Sequence, residues 1–238
     1  MNIALIGYGK MGHAIEAEAL HHGHTIGTTI DNDEEWIAKE NELKACDVAV
    51  EFTTPATAVD NIRRCFALRL PVVVGTTGWY DQLPALVDEC RQQGLSLFVA
   101  SNFSIGMNIM FDLNRRLAQL MNRYPSYSVH IDETHHIHKL DAPSGTAITL
   151  ANDIIGQMDR MSAWQLGPTD DSKVIPVEAH REGEVAGIHT VTYDSEADTI
   201  TLTHSAKSRQ GLAQGAILAA EYLHGKRGYF TMQDLLNA

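Results

Sequence analysis

The chain has 238 residues, of which 44% are hydrophobic and 20% charged, an ordinary composition for one large globular domain or two modest ones. Its formal net charge of −12 argues against nucleic acids and anionic membranes as partners, because such a surface repels phosphate groups. No apolar run reaches the roughly 20 residues that span a bilayer, and the first residues do not resemble a signal peptide. The three cysteines contain no C-x-x-C pair, which indicates reduced thiols in a cytoplasmic protein.

The first part of the chain alternates strand-like apolar runs with helix-length segments. We predict strands at residues 2–6, 25–30, 47–52, 71–75 and 95–100, and helices at residues 10–22, 55–68 and 82–93. The stretch between Asp31 and Asp47 is short and charged, which suggests that one β–α unit is trimmed. Alternating strands and helices predict a parallel sheet with right-handed crossovers.

The pattern changes after residue 104. We predict helices at residues 105–124, 146–158 and 211–223, and strands at residues 128–133, 175–178, 187–193 and 199–203, the last two forming a hairpin. Consecutive strands without helices between them indicate a mixed sheet. The predicted fold class is therefore α/β: a Rossmann-like parallel-sheet domain (residues 1–104 plus 212–238) with a second, mixed-sheet α+β domain (residues 105–211).

A glycine-rich turn directly follows the first predicted strand. It reads Gly7-Tyr8-Gly9-Lys10-Met11-Gly12 and matches G-x-G-x-x-G. In this context the first glycine makes the tight turn, the second lets a pyrophosphate approach the backbone, and the third permits close helix packing. The helix that follows presents free N–H groups to phosphates. The alternative is a tight turn that binds no nucleotide, but the context favours a dinucleotide site.

Asp31 ends the second predicted strand, about 20 residues further on, where an acidic residue binds the adenosine ribose hydroxyls. A carboxylate there would repel a 2′-phosphate, and Asn32 adds no positive charge. The sequence therefore favours NADH over NADPH, unless a Lys or Arg distant in sequence folds into the site.

Two later loops stand at the carboxyl ends of predicted strands, where open α/β sheets bind ligands. Their residues are candidates for holding the nicotinamide and its ribose, although each could equally be an ordinary loop: Gly75, Thr76 and Thr77 in the first, and Ala100, Ser101, Asn102 and Phe103 in the second.

The segment 132–147 has the highest density of chemically active side chains. His135, His136, His138 and Lys139 supply proton donors near neutral pH and a fixed positive charge. Ser144 precedes a predicted helix and can cap it.

The N–H groups of Gly145 and Thr146 then face outward at a positive helix end, which suits a carboxylate. Together with Lys139 they would suit a small dicarboxylate. Two alternatives compete. His135 and His138 could bind a metal, but helical spacing is doubtful and no cysteine assists, so we predict no metal site. The segment could also be a polar surface loop.

This segment closely resembles the E-x-H-H-x-x-K-x-D-A-P-S-G-T-A motif of the dihydrodipicolinate reductase (4-hydroxy-tetrahydrodipicolinate reductase) family of the diaminopimelate route to lysine. The match falls on Glu133, His135, His136, Lys139, Asp141, Ala142, Pro143, Ser144, Gly145, Thr146 and Ala147. The resemblance extends to the glycine-rich turn and to residues 75–78, 102–108, 181–183, 187–190 and 204–209, and so covers nearly the whole chain.

The resemblance implies roles for individual residues. His135 is the expected proton donor and acceptor and Lys139 a second proton donor. His136 binds the substrate, and Gly145 and Thr146 hold a carboxylate through their N–H groups. Hydride passes to C4 of the unsaturated ring and the neighbouring carbon is protonated. The resemblance also implies a homotetramer built through the sheet of the second domain.

Two departures from the family leave the choice between NADH and NADPH open: the glycine turn is one residue shorter than in many members, and Asn32 stands where some members have Arg. Two other functions compete. A Rossmann dehydrogenase acting on an amino-acid-like substrate, such as an aspartate dehydrogenase, would not need the His-His-x-x-Lys and Ser-Gly-Thr arrangement. A protein that senses dinucleotides without catalysis would not need His135 and Lys139.

Overall fold

The predicted alternation of strands and helices is present in the computed structural model, which describes residues 1–238. Its first elements are β1 (Asn2–Ile6), α1 (Lys10–His21), β2 (Thr25–Ile30), α2 (Asp33–Ala38), α3 (Glu40–Lys44), β3 (Val48–Glu51), α4 (Pro55–Ala67), β4 (Val72–Val74), α5 (Leu83–Gln93) and β5 (Ser96–Val99). The charged stretch after Asp31 forms two short helices rather than a simple loop. The Asn32 side chain accepts the N–H of Glu35 and so caps α2, whose acidic first turn suits the helix dipole.

The next part of the chain contains a second sheet and two helices. Its elements are α6 (Ile105–Met121), β6 (Ser128–His135), α7 (Gly145–Ile155), β7 (Ala163–Leu166), β8 (Val174–Arg181), β9 (Gly187–Asp194) and β10 (Thr199–Ala206). The strand order is β10-β9-β6-β8-β7; β9 is antiparallel to both β10 and β6, whereas β8 is parallel to both β6 and β7. The sheet is therefore mixed, and the predicted hairpin is confirmed. The sequence did not predict β7, a short and largely exposed edge strand.

The chain then adds α8 (Gln210–Leu223), β11 (Gly228–Phe230) and α9 (Met232–Leu236). Two compact units result: a first unit of Met1–Ile105 with Gln210–Ala238, and a second unit of Gly106–Arg209. In the first unit six parallel strands run in the order β11-β5-β4-β3-β1-β2. Small residues let α8 pack closely, since a Cβ on Gly215 would lie 1.7 Å from the carbonyl oxygen of Phe103. The predicted fold class is confirmed.

Two apolar layers cover the parallel sheet of the first unit. One face packs against α4 and α5 through residues such as Ile62, Phe66 and Leu86. The other packs against α1 and α8 through residues such as Ile15 and Ile217. Helices on both faces leave the carboxyl ends of the strands, with their loops, as the place for a ligand. No helix of the chain is both long and apolar enough to cross a membrane.

The core of the second unit is built by its sheet together with α6 and α7. Along β6 the side chains alternate, and Val129 and Ile131 are buried on the face that α7 covers. Glu133 and His135 continue the same face and are also buried. The core face of this sheet therefore changes from apolar to polar towards the end of β6.

Candidate active site

The turn between β1 and α1 requires glycine for two different reasons. Gly7 has φ +91°, and a Cβ there would lie 2.1 Å from the carbonyl oxygen of Phe52. A Cβ on Gly12 would lie 2.5 Å from the carbonyl oxygen of Gly7. Gly9 caps α1 without a side chain, and a Cβ there would meet no atom within 4 Å. The open space beside Gly9 at the helix N-terminus therefore fits a pyrophosphate group.

Asp31 is linked to this turn by the backbone. Its Oδ1 accepts the N–H of Tyr8 at 3.0 Å, and its own N–H donates to Glu35 Oε2 at 2.7 Å. The nearby ammonium of Lys39 donates to Glu35 Oε1 at 2.9 Å and to the Thr29 carbonyl at 2.8 Å. A carboxylate thus stands beside the glycine turn, and this lysine is already paired.

The loop after β4 packs against Phe52 and Thr53, which follow β3. A Cβ on Gly75 would lie 2.1 Å from the ring of Phe52, so only glycine fits. Thr76 is buried, and its Oγ1 accepts the N–H of Thr53 at 2.7 Å. The side chain of Thr76 therefore supports the loop, whereas Thr77 is exposed at its tip.

The loop after β5 is divided in the same way. Ala100 and Phe103 are buried in the first unit, and the Phe103 ring centroid lies 5.6 Å from that of Phe52. Ser101 is exposed, and the side-chain Oδ1 of Asn102 accepts the N–H of Ser104 at 2.9 Å. Of the residues predicted to contact the cofactor here, Ala100 and Phe103 are therefore packed in the core, whereas Ser101 and Asn102 are more exposed.

A polar cluster occupies the end of the core face in the second unit. Strand register pairs Ile131 with Val191 and then Glu133 with His189. The Glu133 side chain is fully buried, and its Oε1 accepts the N–H of Ser144 at 2.9 Å. The Arg181 guanidinium lies 3.4 Å from the same oxygen.

The other carboxylate oxygen of Glu133 faces two imidazoles, with His135 Nδ1 at 3.5 Å and His189 Nε2 at 3.6 Å. Burial raises the pKa of Glu133, but hydrogen bonds from His189 and Ser144 outweigh it and hold the pKa at about 2. The Glu133 carboxylate is therefore negatively charged at neutral pH, 3.5 Å from His135 Nδ1.

His135 is buried at the last position of β6. Burial lowers its pKa to about 4, although the Glu133 carboxylate opposes this shift. Its ring meets the ring of His189 edge-on, with centroids 5.0 Å apart. A Cβ on Gly187 would lie 3.1 Å from His135 Nε2. Glycine at this position therefore leaves room beside the nitrogen that does not face Glu133.

The N-terminus of α7 lies against the same cluster. Ser144 Oγ accepts the N–H of Ala147 at 3.2 Å and lies 3.2 Å from His189 Nε2, which confirms the predicted cap. Gly145 is exposed, with no atom within 4 Å of a Cβ built on it. The N–H groups of Gly145 and Thr146 belong to the first helical turn and have no acceptor within the helix. Unpaired donors at the positive end of a helix are suited to a small anion.

Lys139 lies in the loop between β6 and α7. Its Nζ is 2.8 Å from both carboxylate oxygens of Asp141, and this bond lowers the pKa of Asp141. Arg181 fixes the loop by donating to the carbonyls of Lys139 at 3.2 Å and Asp141 at 2.5 Å. His136 is half-buried. His138 is exposed and pairs with Glu184 at 3.1 Å.

Both parts of the chain match models of one family. Residues 1–103 match "Dihydrodipicolinate reductase, N-terminus" and residues 106–236 match "Dihydrodipicolinate reductase, C-terminus". A 4-hydroxy-tetrahydrodipicolinate reductase of Christiangramia forsetii is 48% identical over 238 residues, covering 100% of this chain and 98% of that protein. The chain belongs to the dihydrodipicolinate reductase family. The family predicted from the motif is thus confirmed.

Two more relatives of the reductase family agree. A 4-hydroxy-tetrahydrodipicolinate reductase of Akkermansia muciniphila is 36% identical, covering 96% of this chain and 94% of that protein. The solved structure of a dipicolinate-bound dihydrodipicolinate reductase from Paenisporosarcina sp. TG-14 superposes with a TM-score of 0.75 at 23% identity, covering 97% of each chain. This second likeness supports the two-sheet fold of the reductase.

The sequence missed three contributors to the polar cluster. The family motif includes Glu133, and the wider resemblance includes Arg181 and His189, but neither assigns these residues a role. Strand alternation could have placed Glu133 on the same face as His135, because they are two positions apart. The metal alternative had paired His135 with His138, whereas the ligand-type neighbours of His135 in the structure are Glu133 and His189.

Proposed function

We propose that this chain reduces 4-hydroxy-tetrahydrodipicolinate to tetrahydrodipicolinate with hydride from a nicotinamide dinucleotide, in lysine biosynthesis by the diaminopimelate route. The observation that carries the proposal is the buried Glu133–His135 pair beside the Ser144-capped helix. Reduction of a cyclic dicarboxylate needs anion donors and a proton donor close together, and this cluster offers both. Family membership along the whole chain supports the same reaction.

The dinucleotide supplies the hydride when it is bound. The open backbone at Gly9 and the N-terminus of α1 fit its pyrophosphate, and Asp31 suits the adenosine ribose hydroxyls. NADH is the favoured donor over NADPH, because the Asp31 carboxylate would repel a 2′-phosphate and the ammonium of nearby Lys39 is paired with Glu35. The remaining candidates for the dinucleotide site are Gly7, Tyr8, Lys10, Met11, Gly12, Gly75, Thr76, Thr77, Ala100, Ser101, Asn102 and Phe103.

The substrate's carboxylates meet two kinds of donor. The N–H groups of Gly145 and Thr146 bind one carboxylate at the positive end of α7. Lys139 and His136 bind the other, and Lys139 exchanges its pairing with Asp141 for the substrate. Ser144 keeps the helix end in place as its cap.

His135 supplies the proton. Its depressed pKa means that the imidazole is neutral at pH 7 in the absence of substrate. The Glu133 carboxylate, 3.5 Å from Nδ1, favours the proton of the neutral ring on that nitrogen, which leaves Nε2 as the nitrogen available to the reaction. A bound dianion raises the pKa of His135, so the substrate itself favours the protonated form that donates to the carbon next to C4. Lys139 is the second proton donor.

The test is an assay with purified chain, NADH or NADPH, and the fresh condensation product of pyruvate and aspartate semialdehyde. We expect rapid loss of reduced-nicotinamide absorbance, faster with NADH, that collapses in His135→Gln and in Lys139→Ala. His138→Gln is the matched control, because His138 is exposed and its Nε2 pairs with the exposed Glu184. Binding of NADH without turnover would refute the reductase and favour a dinucleotide sensor.

We further propose that the chain works in the cytoplasm as a homotetramer assembled through the sheet of its second unit, as the family resemblance implies. Sedimentation analysis of the purified chain measures this directly. A monomer at micromolar concentration would contradict the assembly without touching the proposed reaction.

A further inference from the structure

Two histidines at the end of α1 converge on one carboxylate of α8. His22 Nδ1 lies 3.3 Å from Glu221 Oε1, and His24 Nε2 lies 2.8 Å from the same oxygen. The three ligand-type atoms all lie within 4.8 Å of one another. All three residues belong to the first unit, at the opposite end of α1 from the glycine turn.

The backbone brings the two imidazoles together. Gly23 has φ +77°, its N–H donates to the Leu20 carbonyl at 3.0 Å, and the N–H of His24 donates to the Ala19 carbonyl at 2.9 Å. These two bonds make a Schellman turn, in which His22 is the C-cap residue and a left-handed glycine follows it. The arrangement is fixed by the fold, and the negative end of the α1 dipole favours a cation there.

A second carboxylate supports the outer nitrogen of His22. Glu18 is buried, and its Oε1 lies 3.2 Å from His22 Nε2. If Nε2 of His22 carries the ring proton and donates it to Glu18, then Nδ1 of His22 has only a lone pair, which points at Oε1 of Glu221. Two acceptor atoms 3.3 Å apart repel each other unless a proton or a cation lies between them. A carboxylate behind a histidine is also the usual outer support of a metal-bound imidazole.

We propose that His22, His24 and Glu221 bind a divalent transition-metal ion, with Zn²⁺ as the ion that their ligand types suit best, and with water completing the coordination. Zinc bonds of roughly 2.0–2.2 Å separate tetrahedral ligands by about 3.3 Å. The distance from His22 Nδ1 to Glu221 Oε1 is 3.3 Å, the distance from His24 Nε2 to that oxygen is 2.8 Å, and the two ring nitrogens lie within 4.8 Å of each other. The ion would tie the end of α1 to α8.

The experiment is calorimetric titration of the tag-free, chelator-treated full chain with ZnCl₂, paired with visible absorption of the Co²⁺ form. We expect one equivalent of Zn²⁺ that is bound roughly 100-fold more weakly by His22→Gln and by His24→Gln, and about 10- to 100-fold more weakly by Glu18→Gln. His21→Gln is the matched control, since His21 is exposed beside the cluster. Repeating the titration in His189→Gln separates this equivalent from any ion bound by the Glu133 cluster.

Zn²⁺ should also raise the unfolding temperature of the wild-type chain and of His21→Gln, but not that of His22→Gln. Circular dichroism and NADH binding establish that each variant is folded. The proposal is overturned if the wild-type chain binds no Zn²⁺, or if His22→Gln and His24→Gln bind it as tightly as the wild type.

Discussion

Replacing Glu133 with glutamine tests whether a buried negative charge stabilises the polar end of the second unit's core. Burial raises the pKa of Glu133, but hydrogen bonds from His189 and Ser144 prevail and lower it from 4.5 to about 2. A shift of about 2.5 pKa units corresponds to about 3 kcal/mol, at 1.36 kcal/mol per unit. Because the folded-state pKa is depressed, this contribution is complete above pH 4.5 and is lost as the pH falls through about 2.

The amide of Glu133→Gln can still accept the N–H of Ser144, so the difference between the two proteins isolates the charge. We expect the variant to lose about 3 kcal/mol of unfolding free energy at pH 7 and about half as much at pH 3. Urea unfolding of protein labelled with 5-fluorotryptophan measures this by ¹⁹F NMR. Trp164 reports the second unit, whereas Trp36 and Trp79 lie in the first.

The exposed Glu184 provides the control, since Glu184→Gln should change the unfolding free energy by less than about 0.5 kcal/mol. An unchanged unfolding free energy in Glu133→Gln, or a loss that stays the same between pH 7 and pH 3, would refute the reasoning.

Three further predictions concern catalysis and the cofactor. His135→Gln should lower kcat by roughly 10²- to 10⁴-fold while leaving the Kd for NADH unchanged, as measured by stopped-flow and calorimetry. Gly187→Ala should lower kcat by roughly 10- to 100-fold, because its Cβ would lie 3.1 Å from Nε2 of His135 and its φ of +153° disfavours a side chain. Gly183→Ala is the control for backbone strain, since Gly183 also has a positive φ (+45°) but its Cβ meets nothing within 4 Å; equal losses in both would contradict the contact with His135. Asn32→Arg beside Asp31 should raise kcat/KM with NADPH relative to NADH by roughly fivefold, and an unchanged ratio would show that the 2′-phosphate lies elsewhere.

The strands and helices of the first unit could be predicted because each is indicated by a pattern within its own short stretch of sequence. Each parallel strand is an apolar run, and the glycine turn between β1 and α1 has its own spacing. The strand β11 escaped prediction because three residues, Gly228–Phe230, carry no periodicity of their own. They become a strand only by pairing with β5, more than a hundred residues earlier in the chain.

The candidate site was predictable only in part, for the same reason. The cap at Ser144 depends on residues within three positions and was read correctly. Two partners of Glu133, Arg181 and His189, come from β8 and β9, so they depend on strand register that no local pattern contains. Thr76 illustrates the same dependence on distant residues, since its Oγ1 accepts the N–H of Thr53 from another loop, a contact that no local pattern contains.

The position of the polar cluster follows from the alternation of β6 and has an energetic consequence. Val129 and Ile131 bury apolar surface at no electrostatic cost, whereas Glu133 and His135 give up hydration on the same face. The structure offsets that cost for Glu133 with the Ser144 N–H and the Arg181 guanidinium, yet leaves the pKa of His135 depressed by burial. Groups whose pKa values are strongly perturbed cluster at functional sites. The uncompensated imidazole gains most from an arriving anion, which is the property that a proton donor to a dicarboxylate needs.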